Sequence, residues 1–81
     1  MSVVAYTLVR TNHHEVHKLV NEIRKLQFVK EIAPVYGEYD MIVKTETKSI
    51  RELTLFIYNR LRVIPGLTAT KTMIVARISE K

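Results

Sequence analysis

The sequence has 81 residues and no cysteine, and its 13 lysines and arginines exceed its 8 acidic residues, giving a formal net charge of +5. We expect a chain of this length to form one domain over residues 1–81. The lack of cysteine excludes disulfides, thiolate nucleophiles and zinc–thiolate sites, and nothing implies a cofactor. We find neither a signal peptide pattern nor a membrane-spanning apolar run, and therefore expect a cytoplasmic protein with no membrane partner.

The first half of the chain predicts a strand, a helix and a second strand. Residues 2–10 are rich in β-branched and aromatic side chains, as strands are. Asn12 is predicted to cap the helix that follows, with Glu15 completing a capping box. The helix has an apolar stripe formed by Val16, Leu19, Val20, Ile23 and Leu26. Residues 28–36 predict a strand at the sheet edge, because Pro34 has no N–H to donate.

The second half predicts the same order of elements. The third strand is predicted at residues 40–46 and pairs with the second strand as a hairpin. Ser49 and Glu52 form an S-x-x-E capping box that opens a second helix. Its apolar positions are Ile50, Leu53, Phe56, Ile57, Leu61 and Ile64. Residues 65–66, Pro-Gly, end this helix, and the last strand is predicted at residues 67–78.

A weak internal sequence repeat supports two related halves. Four positions of the first half recur 38 residues later, pairing Ile23, Arg24, Leu26 and Val29 with Leu61, Arg62, Ile64 and Leu67. Each half is therefore predicted to be a strand, a helix and a strand. With right-handed crossovers, two such halves form an α+β, ferredoxin-like βαββαβ sandwich whose antiparallel sheet has the order 4-1-3-2, with both helices on one face.

Both faces of the predicted sheet carry apolar side chains. In the first strand, one face has Val4, Tyr6 and Leu8, and the other has Val3, Ala5 and Val9. In the last strand, Met73 and Val75 oppose Ile74, Ala76 and Ile78. An apolar face left in water costs about 25 cal/mol per Å². This pattern favours sheet-against-sheet pairing of two copies, the alternative being scattered apolar residues on a half-buried face.

Two segments carry a family resemblance. Y-G-E-Y-D at residues 36–40 and I-P-G-L-T-A-T-K-T-M-I-V at residues 64–75 resemble the effector-binding domain of the Lrp/AsnC transcriptional regulators, also called the RAM domain. The resemblance spans essentially the whole chain. It implies ferredoxin-like subunits that pair through their sheets as in a dimeric α+β barrel. It also implies dimers that assemble into octameric or decameric rings and amino acids that bind between dimers.

The same resemblance implies a set of ligand-binding residues. They are Gly37, Tyr39, Asp40, Thr70, Thr72 and Ile74. Asp40 would accept hydrogen bonds from the ammonium group of an amino acid, and Gly37, Thr70 and Thr72 would donate to its carboxylate. Tyr39 would form an apolar wall. Without the resemblance, the residues themselves favour an ordinary turn glycine, a turn or strand-start aspartate and β-forming threonines with solvated hydroxyls.

One departure from the family concerns DNA binding. Full-length members carry an N-terminal helix-turn-helix, whereas this sequence begins at the sensing domain and resembles the stand-alone modules. We therefore expect a non-enzymatic sensing and oligomerisation module of transcription regulation, without direct sequence-specific DNA recognition. Full-length regulators of the same family are a possible partner through mixed rings.

Three histidines suggest a metal site at first sight. His13 and His17 are four residues apart, a spacing that can bind zinc on a helix, and His14 lies between them. No nearby carboxylate or third imidazole of suitable geometry completes the site. We therefore predict a solvated helix start and no metal.

Two other functions are compatible with the predicted fold. A nucleic-acid-binding module could use the basic surface, but an RNA-recognition domain needs stacking aromatics in its central strands, and residues 40–46 contain none. A small dimeric α+β barrel enzyme would need a catalytic set. The sequence has no G-x-S-x-G elbow and no phosphate-binding glycine loop.

Overall fold

A computed structural model describes residues 2–12 and 14–76, which form a four-stranded antiparallel sheet with two helices. The elements are β1 (Val3–Thr11), α1 (Val16–Arg24), β2 (Val29–Pro34), β3 (Met41–Thr47), α2 (Ile50–Phe56) and β4 (Leu67–Ile74). The strands are arranged β2-β3-β1-β4 and every pair is antiparallel. This is the predicted order 4-1-3-2 counted from the other edge, so the ferredoxin-like βαββαβ fold is confirmed.

The first helix begins later than predicted. Its N-cap is Glu15, and no side chain caps it. The predicted Asn12 cap is wrong, because the backbone N–H of Asn12 instead donates to the carbonyl oxygen of Gly66 at 3.0 Å, which ties the end of β1 to the turn before β4. His14 therefore precedes the helix and His17 lies within it, whereas His13 is outside the described residues.

The second strand lies at a sheet edge, as predicted from Pro34. It is shorter than predicted, because pairing stops where Pro34 meets Met41. Asp40 belongs to the connection and not to β3. Its carbonyl oxygen accepts a hydrogen bond from the N–H of Val35 at 2.9 Å, which closes the base of the loop.

The internal sequence repeat has a structural counterpart in two turns, one in each half of the chain. Phe28, predicted to start β2, is in a left-handed conformation with φ of 80° and sits in a turn closed by Val29 N–H donating to the Leu26 carbonyl at 3.3 Å. Gly66, 38 positions later, has φ of 94°. Phe28 thus occupies a position that favours glycine. Its ring packs edge-to-face against Phe56, with centroids 6.0 Å apart.

The second helix starts as predicted and ends differently. Ser49 Oγ accepts from the Glu52 N–H at 3.1 Å, while the Glu52 carboxylate accepts from the N–H of Lys48 at 2.7 Å, one residue before the expected donor. After Phe56 the chain continues as a π-helical turn, Ile57–Leu61. Helical periodicity did not predict this widening.

The core lies between the helices and one face of the sheet. Its buried apolar residues are Ala5, Val9, Leu19, Val20, Ile23, Met41, Val43, Leu53, Phe56, Ile57 and Leu61. Ile50, predicted for the apolar stripe, is 58% exposed because it lies at the first turn of α2 beside the sheet edge. Two threonines continue the same sheet face, and Thr7 Oγ1 and Thr72 Oγ1 share a hydrogen bond of 2.9 Å.

The opposite sheet face is uncovered within one chain. The strand registers align Tyr6 between Lys44 and Met73, and Leu8 between Ile42 and Lys71. Tyr6 is 37% exposed and Met73 is 47% exposed, so the predicted apolar side chains do face outward. Charged and apolar residues alternate across this outer face. Pairing continues one residue beyond β4, and the predicted strand end at Ile78 lies outside the described residues.

Candidate functional site

The predicted ligand residues of the β2–β3 connection are held against the end of β1. Gly37 has φ of +128°, which favours glycine, and a side chain there would meet open space. Asp40 donates its N–H to the Val9 carbonyl at 2.8 Å, and its Oδ2 accepts from the Thr11 N–H at 2.8 Å. The carboxylate predicted to hold an ammonium group therefore already has one partner within its own chain.

Arg10 organises the rest of this loop. Its guanidinium carbon lies 5.1 Å from the centroid of the Tyr39 ring, and its Nε–H donates to the Glu38 carbonyl at 3.0 Å. An exposed ion pair of 3.5 Å joins Arg10 to the Glu38 carboxylate. These contacts hold the loop against the end of β1 and cover one face of the Tyr39 ring. Sequence reasoning missed Arg10, which the β-strand pattern treats only as a strand end.

The three predicted residues of β4 face the helices. Thr70, Thr72 and Ile74 pair with Val9, Thr7 and Ala5, whose side chains belong to the core face. They line a cleft of about 310 Å³ between β4 and α2. The remaining lining residues are Ile50, Leu53, Thr54, Ile57, Tyr58 and Arg62. The structure thus brings half of the predicted set together in one concave site.

Arg62 is the charged group of this cleft, and it was not among the predicted ligand residues. Its guanidinium carbon lies 4.8 Å from the centroid of the Tyr58 ring. Arg62 also lines a neighbouring cleft beside Leu67 and Thr70. Among the described residues it has no acidic partner. The position of the Arg62 side chain depends on the π-helical turn, which has no recognisable sequence signal.

The two halves of the predicted set do not meet within one chain. Thr70 pairs with Val9 of β1, and Asp40 is hydrogen-bonded to Val9 and Thr11 of the same strand, so β1 lies between Thr70 and Asp40. Asp40 instead lines a separate cleft of about 310 Å³ with the start of α1, together with Val16, His17, Pro34, Val35 and Tyr36. Each half of the predicted set therefore lines its own cleft.

The described residues add two negative observations. Within residues 2–12 and 14–76, no three histidine, aspartate or glutamate side chains lie close enough together to hold a metal ion. In the same part of the chain, no helix has the length and apolar character needed to cross a membrane.

Comparison with known protein families identifies the family of this chain. A family model described as the Lrp/AsnC ligand binding domain matches residues 4–80. The chain belongs to the Lrp/AsnC ligand-binding domain family. The match includes both the β2–β3 connection and β4, the two places where the predicted ligand residues lie.

Several Lrp/AsnC relatives are regulators. The HTH-type transcriptional regulator FL11 from Pyrococcus horikoshii is 33% identical over 76 residues, covering 94% of this chain and 50% of that protein. The chain spans about half the length of the curated regulators it matches. A homocitrate synthase from Sulfurisphaera tokodaii is 39% identical over 49 residues, which cover 60% of this chain and 10% of that enzyme.

Solved structures share the fold over nearly the whole chain. FFRP-DM1 is 36% identical with a TM-score of 0.86, the match covering 91% of this chain and 99% of that one. The hypothetical protein PHS023 from Pyrococcus horikoshii is also 36% identical with a TM-score of 0.86, covering 94% of this chain and 92% of that one. AsnC from E. coli, 20% identical with a TM-score of 0.86 over 98% of this chain and 54% of that one, shows the fold alone.

Proposed function

We propose that this Lrp/AsnC domain is a non-enzymatic sensor that binds an amino acid or similar small polar metabolite between copies of itself. Residues 1–81 act as one domain in the cytoplasm, in a homo-oligomer of sheet-paired dimers, an octamer or decamer. The effector occupies a site made from Gly37, Tyr39 and Asp40 together with Thr70, Thr72 and Ile74. Its binding shifts the assembly state or the affinity for a partner.

The main observation in support of this proposal is that the two groups of predicted ligand residues lie apart within one chain. Asp40 and Thr70 line two different clefts of the same protomer, which have no lining residue in common, and β1 lies between them. A second copy can bring its hairpin to the β4 cleft of the first. Ligand binding and assembly would then be linked, because assembly would complete the binding site and the bound ligand would stabilise the assembly.

The uncovered sheet face supports pairing of copies. Tyr6, Leu8 and Met73 present apolar surface, while Lys44 and Lys71 are interspersed among them. Lys71 lies opposite Leu8, and Lys44 lies between Tyr6 and Glu31, so a second sheet can remove the apolar area from water while the long lysine side chains extend toward solvent. A surface of this kind is more typical of an interface than of a monomer.

The relatives support a regulatory role. Several matched proteins carry the name transcriptional regulator, and the matched part is about half of each. The same kind of segment makes up a tenth of a homocitrate synthase. A segment shared by regulators and by a small part of an enzyme suits a sensing module better than a catalytic one. We infer that this chain can join full-length family members in mixed assemblies.

Native mass spectrometry with each of the common amino acids tests the proposal. We expect an even number of chains, bound amino acid, and a mass distribution that changes on binding. Tyr39→Ala should weaken binding by about tenfold or more, since Tyr39 forms a wall of the site. Leu55→Ala is the control, because Leu55 is 50% exposed on α2 and lines neither of the two clefts. A single chain that binds none of the amino acids would refute the proposal.

A further inference from the structure

The π-helical turn places one aromatic and one cationic side chain on the same side of the helix. The N–H of Arg62 donates to the Ile57 carbonyl at 2.9 Å, five residues earlier, which widens the last turn. π-Helical turns of this kind are frequent at functional sites. Here the turn stacks Arg62 on Tyr58, with the guanidinium carbon 4.8 Å from the ring centroid, and both line the β4 cleft.

Stacking leaves the hydrogen-bonding edge of the guanidinium available. Arg62 is exposed and has no acidic partner among the described residues. The planar fork of arginine matches a carboxylate through two parallel hydrogen bonds. Thr70, which lines the same cleft, can add a hydroxyl donor. Together, Arg62 and Thr70 form a site that has one positive charge and that a carboxylate can approach from a defined direction.

The floor of the cleft is apolar. Leu53 and Ile57 are 3% and 8% exposed, and Ile50 and Ile74 form the partly exposed sides. No acidic side chain is among the described residues that line the cleft. Its volume of about 310 Å³ is at the lower end of the range for small-molecule sites. Such a lining suits a small molecule that has an apolar body and one carboxylate.

We propose that Arg62, positioned by Tyr58, binds the carboxylate of the effector in the α2–β4 cleft, whose apolar floor selects an aliphatic acid. This inference rests on the proposed effector-sensing function and adds its ligand class. Within one chain the cleft recognises the carboxylate and the aliphatic part alone. An ammonium group on the ligand would need an acceptor from another copy, for which Asp40 is the candidate.

Isothermal titration calorimetry with three compounds of one carbon skeleton tests this assignment. They are L-isoleucine, 3-methyl-2-oxopentanoate, which lacks the ammonium group, and 2-methylbutylamine, which lacks the carboxylate. We expect both acids to bind at concentrations up to about 10 mM, a range that detects millimolar affinities, and the amine to show no binding. Equal binding of the amine and the acids would overturn the assignment.

Arg62→Gln should weaken binding of both acids by at least about tenfold, equivalent to about 1.4 kcal/mol. Arg62→Lys keeps the positive charge but loses the planar fork of donors. Its affinity for both acids should lie between that of Arg62→Gln and that of the unmodified chain. Arg60→Gln is the matched control, because Arg60 is exposed two residues away and lines a different cleft beside Phe28. We expect it to bind as the unmodified chain does.

The outcomes separate this inference from the proposed function. Isoleucine binding that Arg62→Gln leaves unchanged would overturn the role of Arg62 and leave amino-acid sensing intact. Binding of the oxo acid alone, lost in Arg62→Gln, would support the cleft and contradict amino-acid sensing. Failure of all three compounds to bind would overturn the inference, while the mass measurements with the other amino acids would decide the proposed function.

Discussion

Leu8→Glu tests whether the uncovered sheet face is an interface. Leu8 lies in the middle of that face, between Ile42 and Lys71 on the neighbouring strands. Burying a leucine side chain contributes about 1.5–3 kcal/mol. Because Leu8 is already partly buried in one chain, pairing would bury at most about a third of it, or about 0.5–1 kcal/mol per copy. A two-fold interface contains the position twice, so the exchange removes about 1–2 kcal/mol and raises the dissociation constant of the dimer by about five- to thirtyfold. Burial of the new carboxylates would add to this loss.

Sedimentation velocity over a range of concentrations measures the effect. Leu55→Glu is the matched control, because Leu55 is 50% exposed on α2, away from the sheet. We expect Leu8→Glu to dissociate at concentrations where Leu55→Glu and the unmodified chain remain associated. Circular dichroism should show that both variants keep the fold, since neither leucine belongs to the buried core. An unchanged association of Leu8→Glu would refute the interface.

Exchanges at three further positions test local features by urea unfolding. Ser49→Ala removes the acceptor of the Glu52 N–H and should lower the free energy of unfolding by about 1 kcal/mol; no loss would mean that the cap contributes nothing. Phe28→Gly and Phe28→Ala both remove the ring, but alanine keeps the left-handed strain, so we expect the glycine variant to be more stable by about 1 kcal/mol, and the reverse order would contradict the strain. Asp40→Asn removes the charge from the acceptor of the Thr11 N–H and should cost about 1 kcal/mol, and a variant as stable as the unmodified chain would show that this bond is not stabilising.

Most of the fold was predictable because local signals agreed with one another. The β-branched and aromatic residues of β1, the proline in β2 and the Ser49 cap each indicated a distinct element, and the structure has all three. The errors lie where tertiary contacts compete with local propensity. Asn12 is a favourable cap residue, yet its backbone pairs with Gly66 and the helix begins four residues later.

The candidate site was less predictable than the fold. The family motifs indicated the hairpin and β4, and the structure shows that each forms part of a cleft. The roles of Arg10 and Arg62 depend on stacking against Tyr39 and Tyr58, at distances that only folding establishes. Arg62 in addition requires the π-helical turn. Sequence spacing along an ideal helix would have placed it elsewhere.

The mass of the unmodified protein in solution, measured by sedimentation equilibrium with and without amino acids, tests the central claim most directly. One chain has a mass of 9.4 kDa. Association through the sheet face predicts an even multiple of this mass, and effector binding predicts that the distribution shifts when the amino acid is added. A species of 9.4 kDa at every concentration, unchanged by any amino acid, would contradict the account.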